Sequence, residues 1–509
     1  MESADAESSW MQESCGRISE EAGTELNEAQ RQAVEAAGPV VTVTAGPGTG
    51  KTKTLTARIR YLLETRKVRP SEITAVTFTN LAAGEMKDRL TGMLGRRSVS
   101  RLHIGTFHAI CMEILEKLGK DVPVAQEADR KEWAEDICRE YGLSLPAGKF
   151  LQAVSIWKTG DGDLAVLKEP EIPKEALEAY QGRMRSCGRR DFDDLLLETL
   201  AVFENQEELP EEIEKSFYYM LVDEFQDISP LQYRLVRAWN RKGRELFVIG
   251  DPDQSIYGFR GADAGCFSRM QEDFPDVLRI TLTENYRSSG KIIRSALSTV
   301  RRNGGYEREL HSHQGEGIPV RIVEAPSKTG EAVFAAKEIT RLIGGIDMLD
   351  VERLRPEQEE KKTRSFKDIA ILYRTHYQAR LLEKTLSQEG IPYVVNGRED
   401  FLDAALVRGT ISFFLSLEHP EDETYKRDAV RLLWGSMHPE AAWKLYEKEA
   451  EKYAEKSRRT APKKLLEEWA ADLDQSQEKN LKLLAGTAVL YRRLPELLDA
   501  LQMGEGGDV

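Results

Sequence analysis

The chain has 509 residues, 40% hydrophobic and 31% charged, which is too long for one core and reads as a soluble globular chain of about three or four domains. No apolar run approaches the roughly 18 residues of a membrane span, and five scattered cysteines (Cys15, Cys111, Cys138, Cys187, Cys266) without C-x-x-C spacing exclude a disulfide framework, a zinc site or an iron–sulfur cluster and point to a reducing cytoplasm. The net charge of −14 speaks against a nucleic-acid partner, but residues 1–30 hold eight acidic side chains and one basic one, so a local basic groove stays open.

Residues 1–24 are polar, acidic and aperiodic, as in a disordered leader, and lack the apolar stretch of a signal peptide. A short helix opening at Leu26–Gln30 ends at Gly38-Pro39, and an apolar β-branched run (Val40, Val41, Val43) leads into AGPGTGKT, followed by a helical pattern (Leu55, Ile59, Leu62, Leu63). Strand, glycine-rich turn, helix is the context of a phosphate-binding loop. Gly48 and Gly50 let the backbone of Ala45, Gly46, Pro47, Gly48, Thr49 and Gly50 fold into a nest whose N–H groups face a polyphosphate. Lys51 would reach the β- and γ-phosphates, and the Thr52 hydroxyl would hold Mg²⁺. Ala45 stands where the strict pattern asks for glycine.

Further strands are expected at Ile73–Phe78 and Leu102–Gly105, with a helix over Asn80–Leu90 and Thr106 capping the helix that carries His108. From about 112 to 190 helical periodicity takes over (Trp133, Ile137, Tyr141), and strands return at Tyr219–Asp223 and Leu246–Gly250, both apolar without alternation as in a covered parallel sheet. Residues 25–285 therefore read as a doubly wound α/β domain with a helical excursion. A second α/β pattern follows: strands at Val320–Val323 and Ile369–Tyr373, helices at Glu331–Leu342 and Gln378–Glu389, and a charged surface loop at Val351–Arg364. Residues 402–509 are almost wholly helical. His311 and His313 have no third partner for a metal and read as a surface loop.

Asp223-Glu224 at the end of an apolar strand suits Mg²⁺ binding by Asp223 and general-base hydrolysis by Glu224. Gly250-Asp251-Pro252-Asp253-Gln254 repeats this placement, with Gln254 set to sense a γ-phosphate. Tyr257 and Phe259 beside Arg260 suit stacking on unpaired bases, with core packing an equal alternative for each aromatic.

AGPGTGKT, AVTFTN, GTFH, DFDDLL, LVDEFQD, VIGDPDQSIYGFRGA, LTENYRSS and IAILYRTHYQARLLEKTLSQEGIPY occur in one order over about residues 26–402. This order resembles the UvrD/Rep/PcrA family of superfamily 1 DNA helicases. The resemblance implies two RecA-like P-loop domains with helical insertions: 25–111 with 190–285 as the first, 112–189 as its insertion, 286–401 as part of the second, and 402–509 as that domain's insertion. It implies that Gln30 reads the adenine, Lys51 and Thr52 bind phosphate and Mg²⁺, Glu224 is catalytic, Gln254 contacts the γ-phosphate, Tyr286 stacks on the adenine and Arg287 contacts the γ-phosphate. Phe78, Thr79, Asn80, His108, Phe192 with Asp193, Tyr257, Phe259 and Arg260 match positions touching single-stranded DNA; Arg374 and Gln378 fall in the second domain's motif.

Phe259 replaces a usual tryptophan, Leu81 a common lysine and Pro252 an acidic residue. Two later family motifs, one around Gly-Leu-Glu and one with a second arginine finger, are not found between 402 and 509, so the chain reads as an N-terminal portion whose second sheet lacks its later strands. The expectation is an ATP- and Mg²⁺-dependent 3′–5′ DNA helicase acting on single-stranded DNA and single/double-strand junctions, with no membrane role and with repair or recombination proteins as partners. The competing reading is a non-motor ATP- and DNA-binding module, or one half of a split helicase. A P-loop kinase or GTPase would leave DEFQD and GDPDQSIYGFRG without a role.

Overall fold

The computed structural model describes residues 26–457, except 121, 161–171, 206–208, 259–260, 264, 304–308, 344–363, 396–404, 419, 421–422 and 436–437. The leader, the Val351–Arg364 loop apart from its last residue, Phe259, Arg260, and the segment from 458 onward lie outside the described residues. The chain divides into two compact units, Met1–Arg321 and Ile322–Val509.

The first unit is built on β1 (Val40–Ala45), β2 (Ile73–Thr77), β3 (His103–Thr106), β4 (Tyr219–Val222), β5 (Glu245–Gly250) and β6 (Leu278–Leu282). They form one sheet in the order β3-β2-β4-β5-β1-β6, every neighbouring pair parallel. Strand residues alternate between two cores. Met220, Val222, Leu246 and Val248 join helices Phe107–Lys117, Phe192–Glu204 and Pro230–Trp239 on one face. Leu221, Phe247 and Ile249 join helices Glu28–Glu35, Lys51–Glu64 and Asn80–Leu94 on the other. With both faces covered, the inner strands are buried on both sides and largely apolar, and all their carboxyl ends point to one edge.

The edge strand β6 escaped the sequence reading because only Leu282 of its five residues is buried. After it, β7 (Glu284–Asn285) pairs in parallel with β8 (His311–Ser312), so His311–Ser312 packs with the first unit.

Helices Glu127–Glu140, Ala147–Thr159 and Lys174–Ser186 enclose a core of their own around Ile137, Phe150, Tyr180 and Met184. The buried Lys158 ammonium ties it to the start of helix Phe192–Glu204 through Asp191 (2.7 Å) and Asp194 (2.6 Å). These two aspartates also form that helix's capping box, so two of the acidic residues of DFDDLL are structural.

In the second unit, helices Lys328–Leu342 and His376–Gln388 share a small core of Ala336, Ile339, Leu386 and Ile391, with Ile369 and Ile371 against it. The strands expected at Val320–Val323 and Ile369–Tyr373 do not form. A strand needs a ladder partner as well as an apolar run, and none pairs with these segments among the described residues; Ile322 is 97% and Leu372 94% exposed. Helices Ala405–Glu418, Glu423–Trp434 and Pro439–Ser457 follow, with Phe413 and Tyr453 buried among them.

One buried ion pair pins the phosphate-loop helix to the sheet. Arg58, fully buried, meets Glu245 of β5 at 2.6 Å, and its guanidinium also donates to the Val34 carbonyl. Removing one member of such a pair strands the other charge, at a cost of about 3–5 kcal/mol. Arg58→Met should therefore destabilise the first unit by that amount in urea unfolding; a loss under about 1 kcal/mol would show that the pair is not structural.

Candidate nucleotide site and adjoining cavity

The site lies where β1, β4 and β5 end. β1 stops at Ala45, the chain turns through Gly46–Gly50, and Lys51 begins a helix. Two glycines are required here. Gly48 has φ +72° and a Cβ there would lie 2.6 Å from the Arg287 Cβ, while Gly50 has φ +89° and a Cβ would meet the Gln30 amide nitrogen at 2.7 Å. Buried Thr49 braces the loop through its hydroxyl, which donates to the Gly46 carbonyl at 2.8 Å. Thr52 lies in the first turn of the helix, half-buried.

Gln30 is 1% exposed and both ends of its amide are engaged: Nε2 donates to the Thr49 carbonyl at 2.9 Å, and Oε1 accepts from the Asn27 N–H at 3.1 Å. In this structure it braces the loop. The Asn285–Arg287 segment clamps the same loop from the other side. The Tyr286 N–H donates to the Gly48 carbonyl at 2.9 Å, and the Asn285 amide donates to the Pro47 carbonyl. Tyr286 and Arg287 are both exposed. The Tyr286 ring stacks on His313 at 4.5 Å, and His313 pairs with Glu284 at 2.6 Å. Sequence reading left His313 in a surface loop, because only the β7–β8 pairing brings it beside Tyr286.

At the end of β4, Asp223 is 7% exposed and Glu224 adopts a left-handed conformation, φ 48° and ψ 46°. A non-glycine residue there stores about 1–3 kcal/mol of strain. Burial, then the neighbouring Glu224 charge, push the Asp223 carboxyl up to about 6. The Lys51 ammonium meets Glu224 Oε2 at 2.7 Å. The Gln226 amide also donates to Glu224 Oε2, at 2.8 Å, and accepts from the Asp251 N–H at 2.8 Å. Gln254 in turn donates to the Asp251 carboxylate. Nothing in the sequence marks Gln226 beyond its place two residues from the expected base.

A buried carboxylate held at a raised pKa beside a second acid is suited to a cation. Among the described residues no group of three His, Cys, Asp or Glu side chains forms a protein cage. Asp223 and the Thr52 hydroxyl with phosphate oxygens and water are the sparse, all-oxygen donor set that Mg²⁺ uses. These residues fit the ion.

Beside this site lies a cavity of about 810 Å³ lined by Phe78, Thr79, His108, Asp193, Asp227 and Gly258, among others. His108 packs edge-on against Phe192 at 5.3 Å, and burial lowers its pKa. Phe192 is 51% exposed, and Asn80 is exposed at the start of its helix. Phe78 and Tyr257 lie ring to ring at 4.9 Å and are both half-buried.

The "UvrD/REP helicase N-terminal domain" model matches residues 26–275, and the "UvrD-like helicase C-terminal domain" model matches residues 280–480. The chain belongs to the UvrD/REP helicase family. It is 31% identical over 420 residues to the ATP-dependent DNA helicase PcrA of Staphylococcus epidermidis, covering 78% of this chain and 54% of that protein. It is 34% identical over 424 residues to the ATP-dependent DNA helicase UvrD1 of Mycobacterium tuberculosis, covering 78% and 53%. It is 31% identical over 417 residues to PcrA of Bacillus subtilis, covering 78% and 54%. The chain thus spans about half the length of the curated relatives it matches. Among the described residues no helix is long and apolar enough to cross a membrane.

The raised Asp223 pKa has a measurable consequence. Its ionisation opposes folding wherever the folded carboxyl must lose a proton that the unfolded one gives up more readily, that is, increasingly as pH rises from about 4 to about 6. Asp223→Asn should stabilise the nucleotide-free, metal-free protein by about 1–3 kcal/mol at pH 8 and by nothing near pH 4. Equal stability at both pH values would contradict this.

Proposed function

We propose that this chain supplies the ATP-hydrolysing, DNA-gripping part of a 3′–5′ DNA helicase, with ATP and Mg²⁺ as cofactors and single-stranded DNA and single/double-strand junctions as substrates. One observation carries the reading: Lys51, Glu224 and the Gln254 loop, which follow three different strands, are linked at one edge of a parallel sheet, beside a cavity lined by Phe78 and His108, against which Tyr257 and Phe192 pack.

In this reading the loop N–H groups and Lys51 bind the β- and γ-phosphates, which draws the ammonium from Glu224. The freed carboxylate accepts the proton of the attacking water. Gln254 contacts the γ-phosphate, Arg287 offsets its developing charge, and Tyr286 carries the adenine in place of His313. Mg²⁺, held by Thr52 and Asp223, offsets phosphate charge when bound. Phe78, Tyr257, Phe259 and Phe192 offer faces to unpaired bases, with Thr79, Asn80, His108 and Arg260 on the backbone; each stacked base contributes about 1–3 kcal/mol. Residues 286–401 supply the N-terminal part of the second RecA-like domain and 402–509 its helical insertion, and repair or recombination proteins in the cytoplasm are the partners.

Steady-state ATP hydrolysis with and without oligo-dT tests the reading. The protein should be stimulated by DNA, and Glu224→Gln should lower kcat by about 10²–10⁴-fold while still retaining nucleotide on filters. Hydrolysis indifferent to both DNA and the substitution would contradict it.

A further inference from the structure

Gln226 touches three places at once. Its Nε2 donates to Glu224 Oε2 at 2.8 Å and to Asp227 Oδ2 at 3.1 Å, and its Oε1 accepts from the Asp251 N–H at 2.8 Å. Its backbone carbonyl accepts from the Ser255 hydroxyl at 3.1 Å. The side chain is 2% exposed, and the neighbouring strand must end in glycine to admit it, because a Cβ on Gly250 would lie 2.4 Å from Gln226 Oε1.

Each contact leads somewhere different. Glu224 faces Lys51. Asp227 is 7% exposed, lines the cavity, and its Oδ1 is buried without a hydrogen-bond partner. Asp251 binds Gln254. Both amide hydrogens of Gln226 are committed, one on each side. A ligand that engages Asp227, or shifts the 251–255 loop, must turn this amide and change what Glu224 Oε2 accepts.

We infer that Gln226 is a positioning residue that transmits occupancy of the cavity to the carboxylate of Glu224. This rests on the ATP and single-stranded-DNA reading above. While the cavity is empty, Lys51 and Gln226 both donate to Glu224 Oε2, so that oxygen is engaged by the protein and not turned toward a water. DNA in the cavity, by engaging Asp227 or moving the 251–255 loop, turns the amide away from Glu224 and releases that oxygen, so hydrolysis rises with DNA bound.

The test uses the full chain and Gln226→Met, which keeps length and loses every side-chain hydrogen bond, with Asp227→Asn as a second variant that leaves Gln226 in place. For each, kcat and KM for ATP are measured with and without oligo-dT, and so is the factor by which oligo-dT changes the affinity for a non-hydrolysable ATP analogue. The expected result is DNA stimulation of kcat reduced about tenfold or more, KM and oligo-dT affinity each within about threefold of the original, and a coupling factor near one. Asp227→Asn should shift stimulation in the same direction and carries the test if Gln226→Met does not fold. Stimulation and coupling within about twofold of the original protein in both variants would overturn the inference alone. An unmodified chain that neither binds oligo-dT nor responds to it would overturn the functional reading, and the inference with it, before any variant is made.

Discussion

The ion pair between Lys51 and Glu224 is the contact on which the rest of the site depends. It joins the loop after β1 to the turn after β4, two strands separated in the sheet by β5. The parallel sheet makes this meeting possible, because every strand delivers its following turn to the same edge. The pair also offsets an unfavourable local charge: Asp223, Glu224, Asp227 and Asp251 all sit on the turns after β4 and β5, and both Asp223 and Asp227 are pushed up to about 6 by burial and then by Glu224.

The surrounding structure holds this charge cluster at a cost. Glu224 keeps a left-handed backbone without being glycine, and Gly48 and Gly50 adopt conformations that a side chain would block. Such strain persists only where the surroundings over-determine it. Here they do: Asn285 and Tyr286 grip the loop carbonyls, Gln30 braces Thr49, and the buried Arg58–Glu245 pair fixes the helix that follows. The site trades stability for a carboxylate and an ammonium that are both ready to change partners.

Much of this was legible in the sequence because the signals are local. β1, β2, β4 and β5 announce themselves as apolar runs, and AGPGTGKT fixes the loop by composition alone. What stayed hidden depends on distant chain. The strand β6 is mostly exposed at a sheet edge, and His313 reaches Tyr286 only through β7–β8 pairing. The structural role of Asp191 and Asp194 in DFDDLL shows only once Lys158, from the helical insertion, meets them. Val320–Val323 and Ile369–Tyr373 have strand composition but no ladder among the described residues. Gln226 was visible as a letter in DEFQD, but its three partners come from two turns that only the sheet brings together.

Lys51 should be held by Glu224 until phosphate displaces it, and equilibrium affinity for a non-hydrolysable ATP analogue reads this out. If the pair must be broken for binding, Glu224→Gln frees the ammonium and removes a like charge facing the phosphates. This variant should bind the analogue several-fold more tightly than the unmodified chain, while Lys51→Ala should bind it far more weakly. Equal or weaker binding by Glu224→Gln would contradict it.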